Sequence, residues 1–378
     1  MSHDDDMEAI KAIFRAAGRS DDDTSEQAPR GDTPKREAPT SRVTLPGISP
    51  RAYEHPADRA ALTAMRKVPG FEAALRKMVG FVDERSLRHL YLASAVKASP
   101  RQYTRVYRLF EESVQILDLH EVPDLFVAQT PLVNAGAVGV ERPFVVLNSG
   151  TVDLLDDDEL RFVLGHELGH ILSDHVLYKT MLRMFLRMSM VAFGLPLGRL
   201  AVMGLLAGLK EWDRKSELSC DRAGLLTTQS PEVAYRVHMK MAGGLKPGQS
   251  DMDLGEFIKQ AEAYEAAGDV TDGMVKLLNL LGTTHPFHVI RLLELKRWVD
   301  AGHYDQVLKG HYPEREDDGE ASVYDGVAEG ARSYREAYER SKDPLAQFVT
   351  DLGQSLSEVG QQVKGWFGGK DDDRDRRG

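Results

Sequence analysis

Apolar residues recur at helical spacing through most of this chain and fall into short extended runs only between Asp124 and Leu147. From Pro56 to Leu119 the pattern is helical. Ala60, Ala61, Leu62, Ala64 and Met65 come first; Val106, Tyr107, Phe110, Val114, Ile116 and Leu117 follow. Pro69-Gly70 and Ser99-Pro100 interrupt it. The aromatic stripe Tyr103, Tyr107, Phe110 reads as core packing. Leu125 to Ala128 and Phe144 to Leu147 read as strands, punctuated by Gly136, Gly139 and Gly150.

A helix follows, with Leu160, Phe162, Val163, Leu164, Leu168, Ile171 and Leu172 apolar. It opens at Asp156-Asp157-Asp158-Glu159, where acids suit the positive end of the helix dipole, and Asp156 with Glu159 has the spacing of a capping box. Residues 231–300 are again helical, with Pro231 at a first-turn position and Gly243-Gly244 as a breaker. Met181 to Leu209 is strongly apolar. Val191 to Leu209 is long enough by count to cross a membrane, but Arg183, Arg187 and Arg199 interrupt the stretch, and a mid-bilayer arginine costs several kcal/mol. It is read as two core helices turning near Gly194 to Gly198. Contact with a membrane surface is an alternative that is not favoured.

The ends differ from the middle. Residues 1–45 are acidic and polar with few large apolar side chains, the composition of a disordered segment, apart from a transient helix at Met7 to Ala17. Residues 46–120 form a leading helical region, and 121–310 a core. Residues 311–378 hold an exposed acidic linker, Pro313 to Glu320, then amphipathic helices and a charged, disordered end. Leu345, Phe348, Val349, Leu352, Leu356, Val359, Val363 and Trp366 make one stripe, expected to dock on the body or to drive self-association.

Polar residues on an otherwise buried helix change the picture. His166-Glu167-Leu168-Gly169-His170 reads HExxH. Two histidines four apart on a helix lie about 40° apart around the axis and can reach one metal ion, with Glu167 beside a water at its open position. Zinc at a catalytic site takes three protein ligands. Glu217 and Asp221, again four apart, offer the third ligand and a partner for the far nitrogen of a zinc histidine. Pro286 keeps His285 on a turn, ahead of a helix from Phe287 to Trp298 that carries Arg291. A donor at such a turn can stabilise an oxyanion.

These blocks, in this order, resemble the gluzincin zinc metallopeptidase family of the HtpX heat-shock protease and the CAAX prenyl endoprotease. Asn134-Ala135, the run Phe144 to Gly150, and Asp158-Glu159-Leu160 leading into His166 look like that family's strand-to-helix approach; the likeness spans roughly residues 120–300. It implies an α+β fold, mainly α-helical, with a zincin-type catalytic core and a small β-sheet beside the HExxH helix. It implies one Zn2+ per chain on His166, His170 and Glu217, with Glu167 as general base and Asp221 behind the ligands. His285 and Arg291 would contact the substrate carbonyl or oxyanion, and Asn134 with Ala135 the substrate edge. Cys220, where a small alanine is common, reads as a packed residue rather than a fourth ligand. The strand from Phe144 to Asn148 is expected to border the cleft and to accept an extended peptide.

Composition narrows the alternatives. A net charge of −11 argues against nucleic acid as a partner, and the single cysteine allows no internal disulfide. The acidic start carries no apolar signal region, so a cytoplasmic location is expected, with the cytoplasmic face of a membrane as the alternative. The expected function is zinc-dependent endopeptidase action on polypeptides. The rival is a proteolytically silent zinc-binding scaffold whose tails recruit partners.

Overall fold

In the computed structural model of the chain, residues 42–59, 62, 84–189, 198–244, 251–266 and 287–319 are described. The helix expected at Met7 to Ala17, the Pro69-Gly70 break, the turn at 194–197, the His285-Pro286 pair and the C-terminal amphipathic stripe lie outside them. The elements run α1 (Glu84–Ser94), β1 (Val96–Lys97), α2 (Thr104–Ile116), β2 (Leu125–Ala128), β3 (Ala135–Val138), β4 (Phe144–Asn148), α3 (Ser149–Leu154), α4 (Asp157–Leu172), α5 (His175–Ser189), α6 (Gly198–Thr228), α7 (Pro231–Gly243), α8 (Leu254–Ala266), α9 (His288–Asp300) and α10 (His303–Leu308). The fold is α+β and mainly helical, with one small sheet.

The sheet is ordered β1-β2-β4-β3. β2 pairs with β4 in parallel; the other pairs are antiparallel. Strand side chains alternate between faces. On one face Phe126, Phe144 and Val146 pack against Leu87 and Tyr91 of α1; on the other Leu125, Val145 and Leu147 join the main core with Leu160, Leu164 and Leu168 of α4. A side chain of α1 holds the turn joining β3 to β4. The Glu84 carboxylate accepts from the N–H groups of Val140, Glu141 and Arg142.

Helix α4 runs through the middle of the main core. Every residue from Glu159 to His170 is buried, which is why its apolar positions wrap around the helix instead of forming a stripe. The capping box forms as the spacing predicts: Asp156 accepts from the Asp158 and Glu159 N–H groups, and Glu159 accepts from the Asp156 N–H. The buried Glu159 also takes Lys240 at 2.5 Å and Arg236 at 3.4 Å, both from α7. That helix begins at Pro231 behind the Ser230 cap and ends at Gly244 in the left-handed conformation.

Small residues bring α4 close to α6. A Cβ built on Gly165 would lie 2.0 Å from Thr227 Oγ1, and one on Gly169 would lie 2.7 Å from Ala223 Cβ. The missing side chains let the two backbones approach, and this approach fixes the spacing between residues on the two helices.

Residues 42–59 run over the same core. Leu45, Ile48 and Tyr53 are buried in it. The acidic residues described after Pro313 are exposed, as expected of a linker, but the run is also tied to this segment. Arg315 N–H donates to Gly47 C=O at 2.8 Å, and the Ser49 hydroxyl donates to Asp318 at 2.7 Å. Asp318 thus takes a hydroxyl partner from distant sequence, which composition could not reveal. Among the described residues no helix is long and apolar enough to cross a membrane.

Candidate metal centre

His166, Glu167 and His170 of α4 are all buried, and the two imidazole rings lie 4.9 Å apart, edge to face. Across the close α4–α6 contact stands Glu217. His166 Nε2 is 3.4 Å from Glu217 Oε2, and His170 Nε2 is 3.3 Å from Glu217 Oε1. Ligands held at about 2.0–2.1 Å by a tetrahedral ion sit about 3.4 Å from one another. Two imidazoles and a carboxylate are zinc-type donors, and the three donor atoms lie within 4.8 Å of one another. The donor set fits a divalent ion in type and in spacing.

The surrounding charges are connected. Asp221 accepts from His166 Nδ1 at 3.0 Å. Arg291, reaching in from α9, donates to both Asp221 oxygens, at 2.7 and 2.5 Å, and lies 3.3 Å from Glu217 Oε2. Burial alone would raise the Asp221 carboxyl, but Arg291 and His238 outweigh it and hold the group well below the usual carboxylate range. Lys179 of α5 lies 2.5 Å from Glu217 Oε1 and 2.8 Å from Asp213. Burial opposes its charge too, yet those two carboxylates raise it.

Three carboxylates, Asp213, Glu217 and Asp221, thus face two cations, Lys179 and Arg291. The balance is met at His166. Burial works against its charged form, but its hydrogen bonds to Asp221 and Glu217 push it up to about 9. A pocket that draws positive charge onto a would-be ligand is one that a metal cation suits. His170 shows the reverse: burial and the Lys179 charge keep it neutral, as a ligand must be.

Cys220 is fully buried between these groups, 3.6 Å from His175 Nδ1, and burial pushes its thiol well up. It forms a second compact group with His170 and His175. Both ring nitrogens of His175 already have partners, and a thiol held protonated is a poor ligand, so no ion is assigned there.

Ala135 opens β3 and Asn134 immediately precedes it. The strand expected to accept a peptide, Phe144 to Asn148, cannot do so: β4 is flanked by β2 and β3 on its two sides. The edge strands are β1 and β3, and of these β3 packs beside α4. A run buried on both faces tells of depth, not of position in the sheet. His285 lies outside the described residues. Sequence reasoning passed over Lys179, His175 and Asp58. The first two leave only a faint signal, polar residues in the apolar stretch after the HExxH helix. Asp58 leaves none, because it arrives from more distant sequence.

The family model described as Peptidase family M48 matches residues 100–299. The Plastoglobule-localized metallopeptidase 48, chloroplastic, of Arabidopsis thaliana is 31% identical over 261 residues, covering 68% of this chain and 75% of that protein. The Protease HtpX homolog of Moorella thermoacetica is 26% identical over 234 residues, covering 55% of this chain and 76% of that protein. No solved structure matches significantly.

Proposed function

The chain belongs to peptidase family M48, and on that premise we propose that it is a zinc-dependent endopeptidase whose single Zn2+ is held by His166, His170 and Glu217. The 3.3 and 3.4 Å separations between Glu217 and the two imidazoles carry this reading. When bound, zinc supplies a Lewis acid that polarises a peptide carbonyl and makes a water acidic.

This chain's own residues do the rest. Glu167, next to His166 and buried, is the base that takes the water's proton and returns it to the leaving amine. Asp221 accepts from His166 Nδ1, so that Nε2, beside Glu217, is the nitrogen that would give up its proton to bind the metal. Arg291 is engaged by Asp221 and Glu217, so we assign it to orient those carboxylates rather than to touch substrate. Lys179 orients Glu217 from the other side. His285 is assigned to the oxyanion on the strength of the sequence.

An extended polypeptide would add to β3. Asn148 N–H donates to Asn134 C=O, so by antiparallel alternation Gly136 and Val138 also bond β4. Ala135 and Ala137 then turn their backbone groups to the open side. The Asn134 side chain already accepts from the Ala135 N–H, which leaves Ala137 as the freer anchor. Recognition of this kind is led by backbone and asks little of sequence.

The test combines metal analysis with cleavage of a peptide library. Glu167→Gln is expected to keep wild-type zinc content and to lose cleavage by at least about 100-fold. Undiminished cleavage by that variant sinks the mechanism.

A further inference from the structure

Behind His170 lies a chain of polar contacts that no part of the reaction above uses. His170 Nδ1 is 3.2 Å from His175 Nδ1. His175 Nε2 is 3.1 Å from Asp58 Oδ2. The same oxygen accepts the Ser219 hydroxyl at 2.6 Å, and Ser219 Oγ in turn accepts the His55 N–H at 2.8 Å. Asp58 and His175 are each 1% exposed. We propose that Asp58, acting through His175, is a positioning residue that fixes His170 as a metal ligand. The inference rests on the assignment of His170 to the metal.

Proton counting gives the reason. An ionised carboxylate only accepts hydrogen bonds, so His175 Nε2 carries the proton toward Asp58. In that tautomer His175 is bare at Nδ1. Two bare nitrogens would repel at 3.2 Å, so the proton between the rings sits on His170 Nδ1. That leaves His170 Nε2 bare, 3.3 Å from Glu217 Oε1, in the tautomer a ligand needs. His166 reaches the same state in one step, through Asp221. His170 reaches it in two.

The local backbone serves this arrangement. Asp174 adopts a left-handed conformation, φ 55°, between α4 and α5. The reversal folds His175 back on His170 instead of letting it continue along the helix. Asp58 is held by the segment around it: Tyr53 Oη meets Ser173 Oγ at 3.2 Å, and Arg222 donates to the Tyr53 and Glu54 carbonyls at 3.4 and 3.3 Å. Asp58 precedes the family-matched region, residues 100–299. A leading segment outside that region thus completes the metal centre.

The test measures zinc affinity of the full chain by competition with a chromophoric chelator. Asp58→Ala and His175→Phe are each expected to weaken zinc binding about 10- to 100-fold, the usual cost of losing a partner behind a ligating histidine. Because Asp58 acts through His175, the double variant should bind no more weakly than His175→Phe alone. Independent roles would instead give losses that multiply. Cobalt substituted for zinc should show altered visible absorption in Asp58→Ala. Affinity in Asp58→Ala within about twofold of wild type, or multiplying losses, overturns the proposal. Should the alanine variant fail to fold, Asp58→Asn keeps the volume. A loss of at least about threefold is expected there, and unchanged affinity overturns the inference equally. His170→Ala separates the two layers. If it binds zinc like wild type, the metal-site assignment fails and this inference with it. If it loses zinc while the Asp58 variants keep it, only the positioning role fails.

Discussion

Replacing Gly169 by alanine probes the contact on which the metal centre depends. The new Cβ would lie 2.7 Å from Ala223 Cβ, 3.4 Å from Cys220 Cα and 3.5 Å from Cys220 Sγ. Carbon atoms in contact prefer about 3.5–4.0 Å, so the shortfall against Ala223 is about 1 Å. Both methyls sit on backbone, and no side-chain rotation relieves them. Helix α4 must move away from α6 by a similar amount. Stability is a blunt readout: overpacking costs about 1–3 kcal/mol, while alanine regains about 1 kcal/mol of helix propensity. Metal affinity is sharper. The imidazoles ride on α4 and Glu217 on α6, and opening their 3.3 and 3.4 Å separations by about 1 Å exceeds what ligands at about 2.1 Å from one ion can span. Zinc affinity is expected to fall at least about tenfold, and peptide cleavage by up to about 100-fold. Adding Ala223→Gly removes the nearest clash and should restore most of the affinity, although glycine there costs about 1 kcal/mol of helix stability. Chelator competition on the single and double variants, with thermal unfolding alongside, decides it. Wild-type zinc affinity in Gly169→Ala, or no recovery in the double variant, would refute the reasoning.

Two further outcomes follow from buried titrating groups. His55 is held down at about 4 by burial first, then by the Arg222 and Lys215 charges, against the pull of Glu294 at 3.6 Å. It is neutral in the fold but binds a proton in the unfolded chain below about 6.5. Its contribution is therefore complete above pH 6.5 and is lost as pH falls toward 4, by roughly 3 kcal/mol. Urea unfolding across that window should show the loss, and His55→Gln should flatten it. Cys220 is fully buried with its thiol pushed well up, so thiol reagents should label it only at the rate of unfolding; rapid labelling of the folded chain would contradict its placement.

What the sequence by itself determined is local. The HExxH pair, the Asp156–Glu159 capping box, Pro231 at the start of α7 and the runs of β2 and β4 each depend on residues within a turn or two of one another. Backbone periodicity encodes such relations directly, so the two histidines on one helix face were legible before any fold was known. Glu217 was legible as a candidate because its four-residue spacing to Asp221 repeats the same logic. That it meets His166 and His170 was decided only when Gly165 and Gly169 let α4 settle against Ala223 and Thr227. The order of strands, which places β3 rather than β4 at an edge, was equally hidden, because an apolar run records burial and not neighbours. The same holds for Arg291 against Asp221, Lys179 against Glu217, and Asp58 behind His175. Each joins segments far apart in the chain, and such pairs form through the complementary packing of distant surfaces, which no short-range spacing records.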